Sequence, residues 1–179
     1  MCKNCELAPV YEFTNKRKVC RTCYVRWFQK KIFYTIRKFE MIKPGEIILS
    51  QKKNDFRSAV LEDVLKSLAE NERIKIILRG RHDKLAVSDT IDLISYKIIN
   101  TIIQDNILNL KNLKPLSKNT IRPFYLFLDK EILLYAKLKN LRFKIINEKK
   151  DKIADFIDGL EKKHPEVKRA IVNGFLDYE

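Results

Sequence analysis

A chain of 179 residues, 45% of them hydrophobic, suits one ordinary domain plus a small appendage and excludes a polymer too polar to build a core. The 37 Lys/Arg against 23 Asp/Glu leave a formal charge of +14, which favours polyanionic partners, either nucleic acid or an anionic membrane surface. No apolar run reaches the about 18–20 residues of a membrane span, so a membrane-spanning protein is excluded.

The charge is uneven. Residues 1–43 carry eleven Lys/Arg against Glu6, Glu12 and Glu40, a net of +8. The same stretch holds every cysteine, as Cys2-x2-Cys5 and Cys20-x2-Cys23 with fourteen residues between the pairs. Each C-x2-C offers two thiolates from one tight knuckle, and two knuckles complete a tetrahedral site for structural Zn2+. An iron–sulfur cluster or a redox dithiol uses the same donors. A pair of extracellular disulfides is the third reading, opposed by the lack of a hydrophobic leader before Cys2, and a cytoplasmic location is expected on that ground. A closed four-thiolate site keeps no position open for water, so it reads as scaffold.

Short strands are predicted at Val10–Thr14 and Lys18–Cys20 around an Asn15-Lys16 turn, a zinc ribbon. From Tyr24 to Phe39, Val25, Phe28, Ile32, Ile36 and Phe39 recur at steps of three and four and predict an amphipathic helix. Cations and flat rings share this region: Lys16, Arg17, Lys18, Arg21, Arg26, Trp27, Lys30, Lys31, Tyr34, Arg37 and Lys38. Such a mixture suits backbone phosphates and unstacked bases. The plain alternative is that Trp27 and Tyr34 pack on the ribbon or core while the cations are merely solvated.

Pro44-Gly45 then breaks the chain and divides a module of residues 1–43 from a domain of residues 44–179. Predicted strands at Ile47–Leu49, Ile74–Leu78 and Leu85–Val87 alternate with helices at Ala59–Leu68 and from Asp89, as cap, to Ile103. Val60, Leu61, Val64, Leu65 and Leu68 line one face of the first helix; Ile91, Ile94, Ile98 and Ile102 line the second. Gln104–Asn119 reads as loop. An edge strand at Phe124–Phe127 follows, since Pro123 bars a central position. A helix at Lys130–Lys139, a strand at Arg142–Ile146, and helices at Lys149–Lys163 and Pro165–Leu176 complete the pattern. Strands alternating with helices predict a doubly wound, mainly parallel α/β sheet.

Such a sheet places ligands at the C-terminal ends of its strands, usually on a glycine-rich turn. The chain has four glycines, and none makes a phosphate cradle. Lys52, Lys53 and Arg57 could hold a phosphate by charge alone. His82 and His164 lie far apart in sequence, and Asp89 with Asp92 reads better as a helix cap and dipole partner than as a catalytic pair.

The order of these features resembles the tRNA 2-thiolation ATP-pyrophosphatases of the TtuA-like and NcsA-like kind. That family has paired cysteine knuckles, then an Arg-rich helix; Thr35-Ile36-Arg37-Lys38-Phe39 stands at the helix's basic end. Pro44-Gly45-Glu46 through Leu65 aligns with the family's strand, phosphate loop and helix. Lys53-Asn54-Asp55-Phe56-Arg57-Ser58 then stands where the family carries Ser-Gly-Gly-Lys-Asp-Ser, and only Ser58 is retained. Leu85–Leu93 resembles a second motif, with Asp92 at its first aspartate, and Arg122-Pro123-Phe124, Lys130–Leu138 and Glu161–Lys168 resemble the C-terminal segments. The family's middle cysteines have no counterpart. The resemblance thus implies a degenerate pyrophosphatase-like fold with no catalytic residue, similar to the second subunit of the cytosolic tRNA wobble-uridine thiolase. It implies tRNA as ligand and, as partner, a catalytic thiolase subunit or a second copy of this chain. A stand-alone RNA-binding protein, an adenylating thiolase with a remodelled loop, and a DNA-binding zinc module are the contrasting readings.

Overall fold

The computed structural model describes residues 1–71, 74–145 and 151–178. Strands β1 (Tyr11–Glu12) and β2 (Lys18–Val19) form an antiparallel ribbon with Tyr11 opposite Val19. The turn between them uses Lys16 at φ 64°, with Phe13 N–H donating to Arg17 O at 3.0 Å. Helix α1 (Arg21–Lys38) follows at once, capped by Cys20, with Arg37 and Lys38 at the negative end of its dipole. It buries Tyr24, Phe28, Ile32, Thr35 and Ile36; Val25, expected inward, is only half-buried. Tyr24 takes the inner place because its hydroxyl reaches the Glu131 carbonyl oxygen at 2.7 Å while its ring stays buried.

Beyond the Pro44-Gly45 turn, where Gly45 adopts φ +87°, come β3 (Ile47–Ser50), α2 (Phe56–Asn71), β4 (Lys75–Ile77), β5 (Lys84–Ala86) and α3 (Ile91–Ile103). A 3-10 helix (Ile107–Leu113), β6 (Leu116–Ser117), β7 (Thr120–Ile121), α4 (Asp129–Leu138), α5 (Lys152–Lys163) and α6 (Val167–Asp177) complete it. The five-stranded sheet runs β4-β3-β5-β7-β6, parallel except for the β6–β7 hairpin at one edge. This is the expected doubly wound α/β architecture. Its topological switch lies between β3 and β5, whose registered pairs include Leu49 with Leu85.

One apolar cluster runs from Cys2, Val19 and Cys20 through the inner face of α1 into β3, α2, β5, β7 and α4. The Pro44-Gly45 turn therefore interrupts the chain but not the core. Val60, Leu61, Val64, Leu65 and Leu68 of α2 are all buried in it. A smaller cluster joins α3, Tyr125, Leu128 and α6.

Four sequence expectations need correction. Phe124–Phe127 is no edge strand: Tyr125 N–H turns back to Arg122 O at 3.0 Å and Phe127 N–H to Phe124 O at 2.9 Å, so the apolar run plugs the core as successive turns. The edge is built instead within Gln104–Asn119 and just after it, a stretch read as loop that also holds the 3-10 helix. Arg142–Ile145 is not a strand either; Lys144 N–H bonds Asn54 O at 3.0 Å, Phe143 meets Phe56, and Ile146 lies outside the described residues. Finally, Thr90 and not Asp89 caps α3, and Ile102 on its last turn is half exposed.

Candidate functional site

The cysteine knuckles fold locally by backbone hydrogen bonding: Cys2 N–H donates to Leu7 O at 2.9 Å, and Glu6 N–H to Cys2 O at 3.0 Å with Glu6 in the left-handed region. The sulfurs of Cys2, Cys5, Cys20 and Cys23 all lie within 4.8 Å of one another. Cys5 Sγ is 3.3 Å from Cys20 Sγ and 3.7 Å from Cys23 Sγ. A single ion bonded to sulfur at about 2.3 Å places tetrahedral thiolates about 3.8 Å apart, so the four donors fit one metal ion. Backbone amides prepare part of the set: that of Asn4 draws the Cys2 thiol down to about 6, and that of Cys23 lowers Cys20. Burial pushes Cys23 up to about 12, the cost that a bound cation removes.

The expected contact residues divide into two groups. Arg26, Lys30, Tyr34, Arg37 and Lys38 are exposed along α1, at a spacing that puts Arg26, Lys30, Tyr34 and Arg37 on one stripe. Arg26 and Lys30 have no carboxylate partner among the described residues. Lys16 and Lys18 pair with Glu12 at 3.7 and 3.5 Å, both solvated, and the Arg21 guanidinium bonds Leu138 O. Trp27, Lys31 and Arg17 turn inward. The Trp27 ring meets Phe13 at 4.7 Å, Tyr24 at 5.4 Å and Phe127 at 6.0 Å, and Lys31 Nζ stands 4.9 Å over it. Trp27 is thus no freestanding stacking platform; the packing reading holds for it, while Tyr34 is exposed.

Lys31 reaches Glu131 at 3.5 Å, and Arg169 approaches the same carboxylate at 3.0 Å. Glu131, its side chain 1% exposed, also accepts from Leu128 N–H at 2.9 Å. Burial lowers Lys31 to about 8 against the attraction of Glu131. Sequence reasoning missed this junction of α1, α4 and α6, because nothing local ties residue 31 to residues 131 and 169.

At the strand ends, the turn from Gln51 to Asp55 joins β3 to α2. Asp55 Oδ1 accepts from Ser58 N–H at 2.8 Å, and Asp55 O accepts from Ala59 N–H at 3.1 Å. Lys53 N–H is spent on Ser58 Oγ at 3.2 Å. A buried carboxylate therefore occupies the helix N-terminus that would otherwise attract a phosphate. Arg57 forks onto Asp129 at 2.8 and 2.6 Å, and Thr90 Oγ1 donates to the same carboxylate at 2.8 Å. Asp89 binds Lys97 at 2.9 Å and Arg122 at 3.1 Å; these cations overcome its burial and hold its pKa below the usual range. Lys168 is held by Asp92, Asp158 and Glu161 at 2.6, 2.7 and 2.6 Å. Burial, then the neighbouring Asp129 charge, raises Asp92. A cavity of about 500 Å³ opens here, walled by Arg57, Asp92, Tyr96, Asp129 and Lys168. Asp89 and Asp92 are thus ion-pair anchors. His164 caps α5 through N–H to Leu160 O at 2.8 Å and is exposed.

Among the described residues no helix is long and apolar enough to cross a membrane. No family model matches the sequence, and no curated protein matches it. The fold has a clear counterpart among solved structures. The U34-tRNA thiolase NcsA from Methanococcus maripaludis, solved with its [4Fe-4S] cluster, superposes with a TM-score of 0.80 over 98% of this chain and 86% of that one. The identity is 15%. Ribbon, basic helix and doubly wound domain together thus reproduce, along nearly the whole chain, the fold of a tRNA wobble-uridine thiolase.

Proposed function

We propose that this protein is a tRNA-binding, non-catalytic relative of the wobble-uridine thiolases that works beside a catalytic homologue. The observation that carries this reading is the Asp55 carboxylate seated on the N-terminus of α2. A phosphate approaching it would meet that carboxylate, which Arg57 Nη1 compensates only from 3.8 Å while bonding Asp129 more closely; at about 4 Å and an effective dielectric near 20, two uncompensated charges repel by about 4 kcal/mol, an upper bound here. The Lys53 amide is already engaged, and Arg57 is neutralised by Asp129. The cationic stripe of α1 supplies the complementary half of the reading, since Arg26 and Lys30 are exposed and unspent.

The metal in this reading is Zn2+. The four sulfurs are spaced as for one ion, whereas a cubane sets its thiolates farther apart because each binds a different iron. All four cysteines of the chain are used there. The ion would hold the two knuckles together and so fix the direction in which α1 leaves Cys20; it has no open position for substrate.

Equilibrium titrations of the isolated chain test the proposal. tRNA is expected to bind, with affinity falling steeply as salt rises, and Arg26→Glu with Lys30→Glu should weaken it at least about tenfold. ATP is expected to give no saturable heat. Micromolar ATP binding would move the assignment to an adenylating enzyme with a remodelled loop, and preference for duplex DNA would move it to a DNA-binding module. Recovery of an intact-loop homologue with the chain from its native cell is the expected outcome for the partnership.

A further inference from the structure

A cleft of about 570 Å³ separates the ribbon hairpin from the starts of α4 and α6, and Phe13, Arg17, Trp27, Lys31, Lys130 and Glu131 are among its walls. That volume falls within the about 300–1,000 Å³ of small-molecule sites. Its floor is electrically settled, because Glu131 is saturated by Lys31, Arg169 and the Leu128 amide. Its walls are not. The Arg17 guanidinium lies 4.6 Å over the Phe13 ring, and its Nε–H is buried with no acceptor. Neither Arg17 nor Lys130 has a carboxylate partner among the described residues. A buried donor without an acceptor is rare in native proteins, so Arg17, which lines the cleft, is an under-satisfied cation whose guanidinium is open to an anionic partner.

We infer that this cleft receives a single unstacked nucleotide of the bound RNA, with Arg17 donating to its phosphate, Lys130 neutralising that charge, and the Phe13–Trp27 wall contacting its base. The inference rests on the tRNA-binding reading above and specifies where one residue of that RNA goes. Three features favour a nucleotide over a bare anion. The wall is aromatic, with Phe13 and Trp27 set edge to face at 4.7 Å, which suits a flat base. Trp27 and Lys31 of the cleft are next in sequence to Arg26 and Lys30 of the exposed stripe, so stripe and cleft lie on neighbouring faces of α1. Leu128 and Lys130 also border the strand-end cavity, so the two hollows adjoin.

Trp27 is the only tryptophan, so its fluorescence reports the cleft directly. The metal-loaded full chain is titrated with a short single-stranded oligouridylate, the same sugar–phosphate strand without bases, inorganic phosphate, and tRNA. The oligouridylate is expected to quench Trp27 saturably. Arg17→Ala and, separately, Lys130→Ala should each weaken this about tenfold, and Arg17→Lys should restore only part. Unchanged circular dichroism excludes unfolding, and Lys130→Ala, on the exposed start of α4, serves if Arg17→Ala disturbs the ribbon. Absence of quenching, no effect of the variants, or equal response to the base-free strand or phosphate overturns the inference. If tRNA still binds in that case, the cleft is wrong and the tRNA-binding reading stands; if tRNA fails as well, both fall.

Discussion

Stripping the metal should release the ribbon and leave α1 in place. The sequence alone suggests that residues 1–40 melt together, since the cysteines flank the start of the helix, but the core places the boundary earlier. Phe28, Ile32 and Ile36 are buried against elements that owe nothing to the metal, with Phe28 stacked on Tyr135 at 4.0 Å, and Tyr24 is buried between Glu131 O and Tyr11 of the ribbon. At about 1.5–3 kcal/mol for each buried large side chain, these four hold α1 by about 6–12 kcal/mol. The hairpin has less anchorage: of its strand residues only Val19 is buried in the core. It has two registered strand pairs and the aromatic contacts Tyr11–Tyr24 at 5.1 Å and Phe13–Trp27 at 4.7 Å, each contributing about 0.5–1.5 kcal/mol. A structural zinc contributes about 10–16 kcal/mol, so its loss removes the larger part of what orders residues 1–19. Hydrogen exchange on the full chain, with and without chelator, reads the result. The amides of Cys2, Val10 and Phe13, bonded to Leu7, Val19 and Arg17, should lose protection, while those from Phe28 to Ile36 keep it. Loss of α1 protection in step with the hairpin would refute the packing argument, and a hairpin still protected after chelation would refute the metal's role.

Three further outcomes follow from the ion pairs and caps. Glu131→Ala should lower stability by about 3–5 kcal/mol in urea unfolding, because it strands Lys31, leaves Arg169 only Glu166 as an acidic partner and removes the acceptor for Leu128 N–H; a loss under about 1 kcal/mol would mean that water already screens the junction. Lys31 sits at about 8 in the folded state, below its unfolded value of about 10.4, so the unfolded chain binds more protons between them. Stability should accordingly rise with pH from about 8 to 9.5, by at most about 1.4 kcal/mol per unit, and Lys31→Met should remove that component of the slope; equal slopes for both proteins contradict it. Above about pH 10 the buried tyrosines Tyr24 and Tyr135, whose ionisation burial suppresses, turn the curve downward. Asp55→Ala should cost about 1–2 kcal/mol through loss of the α2 cap, and Asp55→Ser, which keeps an acceptor for Ser58 N–H, distinctly less; identical losses would show that the cap bond contributes nothing.

Periodicity carried most of the fold. The apolar spacing of α2 identified all five of its buried apolar positions, and the alternation of strands and helices led to the doubly wound sheet. The cysteine spacing located the metal donors because a knuckle is a local structure. Failures arose where partners are remote in sequence. Phe124–Phe127 has the composition of a strand, but only the space between α1 and α4 makes it a core plug. Trp27 among cations looks like a freestanding stacking ring until Phe13 and Phe127 are seen against it. The charged junction of Lys31, Glu131 and Arg169 left no local trace. Asp89 followed a good capping rule yet lost to Lys97 and Arg122, whose double pairing holds a carboxylate better than a helix terminus does.

The distribution of pairing separates two kinds of basic surface on one small protein. At the strand ends Arg57, Lys97, Arg122 and Lys168 each face at least one carboxylate within 3.1 Å, so those charges are spent on joining loops to helices. Removing any one acid there leaves a partly buried cation behind, which makes the network costly to dismantle for an incoming phosphate. Along α1 the reverse holds: Arg26 and Lys30 stand in solvent with no carboxylate partner among the described residues, so each could displace a counterion from a polyanion. A polyanion gains most where cations are unpaired and loses least where no internal bond must break. On that comparison the proposed RNA contact belongs to the N-terminal helix and ribbon, while the charges at the strand ends are already paired between loops and helices.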